Sequence, residues 1–205
     1  EMGDLEDWQE GALVLNGVDS YATVAGDHGS QDLKAYDLNI QGENFILETY
    51  LKVSVAGVIV SKRSETEGGY SLEATSEGDV VLNLFAGADV GYSATAAVAI
   101  TDGQWHHLLV EVTRGQETRI VFDGQLQGVS EQGSMPGSLE NTGDFFVGKD
   151  LDDNFLTGSI DFLRIAKSNL RESRTSVEEL YAWQFIDGPF LKDQLGRKRD
   201  WSNTP

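Results

Sequence analysis

The segment Ile100–Leu126, ITDGQWHHLLVEVTRGQETRIVFDGQL, limits what this chain can fold into more than any other stretch. It reads as a complete β-hairpin bounded by turns. From Trp105 to Val112 the side chains alternate, with His106, Leu108, Val110 and Val112 on one face and Trp105, His107, Leu109 and Glu111 on the other. Arg114-Gly115-Gln116 turns the chain back, Thr118–Phe122 is the returning strand, and Asp123-Gly124 is the strongest of the short turn dipeptides. The rest of the chain is arranged to pair with this ribbon.

Glycine is abundant at 23 residues and proline scarce at 3, with short apolar runs set between Gly, Asn, Asp and Ser. That is a strand-and-turn pattern. Ala12–Leu15 and Tyr21–Ala25 read as neighbouring strands, an early hairpin or bent edge, and residues 27–42 as a loop crossing one end. Phe45–Val53 alternates strictly, with Phe45, Leu47, Thr49, Leu51 and Val53 facing one way and Ile46, Glu48, Tyr50 and Lys52 the other. Gly57–Arg63, Tyr70–Thr75, Val80–Phe85 and Ser93–Ile100 follow as strands. After the hairpin come a polar loop at Gly128–Gly143, a short strand at Phe145–Gly148, an acidic loop KDLDDN at Lys149–Asn154, and a long strand at Leu156–Ala166.

One short helix is expected near the end, where Ser176 and Glu179 make a capping box and Val177, Leu180 and Tyr181 share a face. About a dozen strands and almost no helix predict an all-β fold, a two-sheet antiparallel sandwich over 1–175. Residues 176–205 then form a helix and tail that pack on it or lead to a neighbour.

The formal net charge is −19, from 34 acidic against 15 basic residues, which repels nucleic acid and anionic membrane at long range. No window has the length and apolarity of a membrane span, and the acidic first ten residues lack a signal pattern. The expected partner is therefore neither nucleic acid nor bilayer. Cysteine is absent, so neither disulfides nor thiolate chemistry is available.

Three kinds of chemistry can be weighed on the residues. His106 and His107 are adjacent on a strand, point to opposite faces and cannot share a metal; one belongs to the core side and one to the outside. Glycoside hydrolysis needs two carboxylates in fixed relation, and the strand Phe45–Val53 offers Glu48 alone; no strand places two acids on one outer face, nor combines Arg, Tyr and His as a lyase would. No catalytic residue is assigned. Sugar binding needs aromatic rings and planar polar side chains, and the outer face of the strands at 45–63 supplies Glu48, Tyr50 and Lys52, with Ser61 and Arg63 beside them and Asn83 and Phe85 further along. Arg63 and Lys52 are the natural partners of an acidic sugar. Trp105 and Trp183 are expected in the core, whereas Trp8 and Trp201 lie near the termini. The KDLDDN loop, with Asp150, Asp152, Asp153 and Asn154, is a conceivable cation site without the spacing of a helix-loop-helix calcium loop.

Several segments resemble, in order, the concanavalin-like jelly-roll domains of laminin G type that occur as modules in bacterial extracellular proteins. They are ALVLNGVDSYATV at Ala12–Val24, FILETYLKV at Phe45–Val53, DGQWHH at Asp102–His107, VFDG at Val121–Gly124 and TGSIDFLRIAKSNL at Thr157–Leu170. The resemblance implies a secreted or cell-surface, monomeric module of a larger protein. It further implies a non-catalytic polysaccharide binder attached to a polysaccharide-degrading enzyme, with an adhesion or protein-interaction module of a large extracellular protein, then a jelly-roll glycoside hydrolase or polysaccharide lyase, as the alternatives. In such domains a structural calcium ion ties the first strands to the last, and the matching positions are Asp19 and Asp161. On a buried face, Asp161 would otherwise need backbone amides or Arg164 as partners.

Overall fold

A computed structural model describes residues 11–26, 38–131 and 137–168, all within a compact unit spanning Glu1–Asn169. The expected helix at 176, the tail, His28, Trp8, Trp183 and Trp201 lie outside the described residues.

Among the described residues are twelve strands: β1 Leu13–Asn16, β2 Ala22–Val24, β3 Phe45–Val55, β4 Gly57–Ser64, β5 Gly68–Ala74, β6 Val80–Ala86, β7 Asp89–Ala96, β8 Trp105–Thr113, β9 Glu117–Phe122, β10 Gln125–Glu131, β11 Phe145–Val147 and β12 Thr157–Ala166. They form two six-stranded sheets in the orders β1-β12-β3-β8-β9-β10 and β2-β11-β4-β5-β6-β7, and every pairing is antiparallel. The all-β two-sheet sandwich expected from the alternation is what forms, in keeping with the jelly-roll class that the resemblance implies.

The core lies between the sheets because the period-two pattern points one apolar row of each strand inward. Phe45, Leu47, Leu51 and Val53 of β3, with Leu108, Val110 and Val112 of β8, meet Tyr70, Leu72, Leu82 and Leu84 of the opposite sheet, all buried. Lys62 also points inward from β4 and is fully buried. Its ammonium donates to the Asn141 carbonyl and Asn141 Oδ1, each at 3.1 Å, and to the Gly143 carbonyl at 2.8 Å.

Several expectations are corrected. β1 and β2 do not pair: β1 borders β12 in one sheet and β2 borders β11 in the other. β3 and β4 are likewise not neighbours, because the chain crosses between sheets at Ala56, so the outer faces of residues 45–53 and 57–63 look in opposite directions. β7 starts four residues earlier than expected and ends at Ala96. The polar stretch after Asp123-Gly124 is the strand β10, since Asp123 (φ 49°) and Gly124 (φ 75°) make a two-residue turn that joins Phe122 to Gln125. Two successive positive φ values are what the favoured two-residue hairpin turn requires. The expected alternation of β12 also fails, at a bulge.

That bulge falls between Ile160 and Phe162, which pair with Leu51 and Tyr50, so Asp161 is the extra residue. It reverses the parity of β12. Ile160 faces the core before it, Leu163 and Ile165 pack against the core after it, and Phe162 and Arg164 turn outward. At the start of β12 a Cβ on Gly158 would stand 2.2 Å from the Lys52 carbonyl oxygen, so this close approach to β3 requires glycine.

Candidate functional site

β3 sits between β12 and β8, and its outer face turns from dry to wet along its length: Ile46 is buried, Glu48 and Lys52 are partly covered, and Tyr50 is 40 % exposed. The register brings two residues against each. Tyr50 lies opposite Phe162 and His107, Glu48 opposite Arg164 and Leu109, and Lys52 opposite Ser159 and Trp105.

The side chains use this placement. Tyr50 and Trp105 stack, with ring centroids 5.2 Å apart and planes 15° from parallel. Each ring spends one face on its neighbour, and Trp105 remains 38 % exposed. Beside the stack, Glu48 Oε1 is 3.0 Å from His107 Nε2 and Glu48 Oε2 is 2.6 Å from Arg164 Nη2. A carboxylate can only accept, so His107 Nε2 carries the proton and donates. Both carboxylate oxygens are thereby engaged, and the same contacts fix the imidazole, whose Nδ1 is left as an acceptor, and the guanidinium, which retains further N–H groups for hydroxyl acceptors. Phe162, 43 % exposed, stands on the other side of Tyr50.

Of the residues expected to bind sugar, Glu48, Tyr50 and Lys52 share this face, whereas Arg63 and Asn83 do not. Those two belong to β4 and β6, on the opposite sheet. The Arg63 guanidinium lies 5.0 Å over the Phe85 ring, bonds Asp152 and sits 3.9 Å from Asp150. Asn83 Nδ2 donates to Glu73 Oε1 at 2.9 Å.

Trp105 is corrected from core to surface. It opens β8 on the face opposite the core row of Leu108, Val110 and Val112, so the outward parity of the alternation outweighs the usual burial of tryptophan. His107, Arg164 and Phe162 are the other members missed. His107 could have been found from its outward parity; the other two were hidden by the bulge.

The histidine pair is split as expected. His106 packs on Phe122 at 4.5 Å and is held between two carboxylates, Asp123 Oδ2 at 2.7 Å from Nδ1 and Asp102 Oδ1 at 3.0 Å from Nε2. Burial of the ring opposes protonation, but these two hydrogen bonds and the charges behind them outweigh it and raise its pKa.

The residues do not fit a calcium ion held jointly by Asp19 and Asp161. Asp161 is exposed in the bulge rather than buried, next to the Leu13–Ile160 pair. Asp19 accepts from Asn16 Nδ2 at 2.8 Å, at the Asn16–Thr157 end of the same ladder. Three residue steps of strand, about 10 Å, separate the two ends. In the KDLDDN loop the acids already have partners. Asp150 is buried and accepts the Asp152 and Asn154 amides and Asn154 Nδ2, Asp152 bonds Arg63, and Asp153 bonds Lys149. Lys149 in turn lies over Tyr21, Phe146 and Phe155. Among the described residues no group of three or more His, Asp or Glu side chains is arranged to hold a metal ion.

Among the described residues, no helix is long and apolar enough to cross a membrane. No curated protein sequence matches the chain. Solved structures do. Mouse laminin alpha1 chain, domains LG4-5, superposes with a TM-score of 0.57 at 20% identity over 81% of this chain and 45% of that one. The binding domain of Paraclostridial Mosquitocidal Protein 1 gives 0.54 at 12% identity, over 86% and 46%. The binding domain of Botulinum Neurotoxin DC, in complex with SialylT, gives 0.53 at 13%, over 81% and 45%. This chain spans less than half the length of each, and at these identities the likeness is one of fold. The family model for the concanavalin A-like lectin/glucanases superfamily in its laminin G form matches residues 27–174, most of the chain, and the chain belongs to that family.

Proposed function

We propose that this domain is a non-catalytic carbohydrate-binding module that takes a polysaccharide on the outer face of the β3 sheet, within a secreted or cell-surface protein that also carries a polysaccharide-degrading enzyme. The observation that carries this reading is the exposed Tyr50–Trp105 stack flanked by Glu48, Lys52, His107 and Arg164. A pyranose presents an apolar C–H face to a ring and hydroxyls to the fixed donors and acceptors around it. The absence of a catalytic role is supported by Glu48, whose two oxygens meet an imidazole and a guanidinium rather than a second carboxylate with room for water. Polar groups interrupt the aromatic residues, which favours a sugar over an apolar protein surface. Two of the structural relatives are toxin binding domains, one of them in complex with SialylT.

The test is affinity electrophoresis and calorimetry against a panel of neutral and acidic polysaccharides, with Trp105→Ala as the control. Wild type is expected to be retarded by at least one polysaccharide and to release no new reducing ends. Trp105→Ala should weaken binding about tenfold, the worth of one ring contact. No retardation by any polysaccharide, or an undiminished Trp105→Ala protein, sinks the proposal.

A further inference from the structure

We infer that this face binds a stretch of glycan chain at least two pyranose rings long, lying obliquely across β8, β3 and β12, and that Phe162 sets the length recognised. The inference rests on the glycan-binding reading above. Trp105, Tyr50 and Phe162 occupy three adjacent strands, and each is close to two-fifths exposed. Phe162 pairs directly with Tyr50, whereas Trp105 lies two residues further along, opposite Lys52. With strands about 4.8 Å apart and about 7 Å per two residues, the backbone positions of Trp105 and Phe162 are about 12 Å apart on a diagonal. That distance suits two or more linked sugar rings and exceeds what one ring can bridge.

In an unbroken β12 the position of Phe162 would pair with Thr49 and face the core, and the bulge at Asp161 turns it outward beside Tyr50.

The experiment is calorimetry of the intact domain with glucose, xylose and mannose and their β-1,4 oligomers of one to six rings, together with an oligogalacturonate series, comparing wild type, Phe162→Ala, Phe162→Tyr and Trp105→Ala. For the series that binds, affinity should climb about tenfold or more between one and three rings, one ring contact being worth about that factor. Phe162→Ala should flatten the climb, Phe162→Tyr should restore it, and Trp105→Ala should weaken every length. A monosaccharide bound as tightly as the hexamer, or a climb unchanged in Phe162→Ala, overturns the chain-length inference while leaving glycan binding intact. No binding by any series overturns both. Because Phe162 is exposed, unchanged thermal midpoints should accompany both of its variants.

Discussion

The Thr49 hydroxyl donates to the Phe162 carbonyl at 2.7 Å, from the buried face of β3 to the bulge in β12. Thr49 interrupts an otherwise apolar inward row, and this hydrogen bond is the reason a hydroxyl is tolerated there. A bulge removes a carbonyl from the regular ladder, and the core side of the sandwich offers no water to satisfy it. One buried hydroxyl thus supports the parity reversal that brings Phe162 and Arg164 to the outer face.

Thr49→Val keeps the shape and removes the donor. It is expected to lower unfolding stability by about 1–3 kcal/mol, the cost of orphaning a buried carbonyl, and Thr49→Ser to recover part of that loss. Urea titrations of the three proteins check this. A Thr49→Val protein as stable as wild type would mean that the bulge holds without the hydroxyl.

The Glu48 network makes a different demand. Glu48→Gln preserves size but removes the charge that orients His107 and Arg164, and both partners are partly exposed. Its cost in stability should stay within about 1 kcal/mol, as for other solvated ion pairs. Glycan affinity should fall by about three- to tenfold, because the donors lose their fixed positions. Calorimetry beside a denaturant curve separates the two effects.

Much of this was legible in the sequence, and the parts that were not share a cause. Strand positions, the inward row of β3 and the outward set Glu48, Tyr50 and Lys52 follow from alternation, because period two is a property of one strand alone. Which strands lie side by side is not. Arg63 and Glu48 are fifteen residues apart in sequence yet occupy opposite sheets, since Ala56 between β3 and β4 carries the chain across the sandwich. The bulge at Asp161 was equally hidden, because its support, Thr49, lies more than a hundred residues away. At Trp105 residue type and parity disagree, and parity decides its place on the surface.

His106 links the β8–β9 hairpin to pH. Its folded pKa is raised despite burial, by Asp123 and Asp102. Asp102 is lowered first by the His106 hydrogen bond, and Asp123 is lowered by His106 and the His107 amide against its own burial. The stabilisation from His106 is therefore full below about pH 6.5, the unfolded value, and is lost as pH rises through the raised folded pKa. That from Asp102 and Asp123 is present above about pH 3.9 and lost as pH falls through their lowered values. Wild type should gain thermal stability relative to His106→Gln as pH drops from 8 to about 5, a span that crosses the titration of histidine. Parallel melting curves across that range would refute this.

The ladder between β1 and β12 predicts independence from the Asp19–Asp161 pair as a calcium site. Asp161→Asn should leave the thermal midpoint unchanged with calcium in excess, since the side chain is exposed and about 10 Å of strand separates it from the end that holds Asp19. Melting of wild type and variant, each with calcium and with chelator, measures it. A calcium-dependent rise present in wild type and missing in Asp161→Asn would show that an ion draws the two carboxylates together.

Lys62 carries the last expectation. Its ammonium closes a cage of three carbonyl oxygens from Asn141 and Gly143, so Lys62→Met fills the same space but strands the two main-chain carbonyls, Asn141 Oδ1 keeping the Gly143 amide. A loss of about 2–4 kcal/mol is expected, as when one partner of a buried polar cluster is removed. Burial lowers the Lys62 pKa to about 8, against the opposing pull of Asp144 and Glu67. The unfolded chain, with a lysine near its ordinary value of about 10.4, then binds more protons than the folded one between those two values. Folding stability from this group must rise with pH across that window. Urea midpoints of wild type should increase relative to Lys62→Met between pH 8 and 10, and in the native protein Lys62 should resist amine-reactive reagents that label Lys52. Equal labelling of the two lysines would mean that the cage opens in solution.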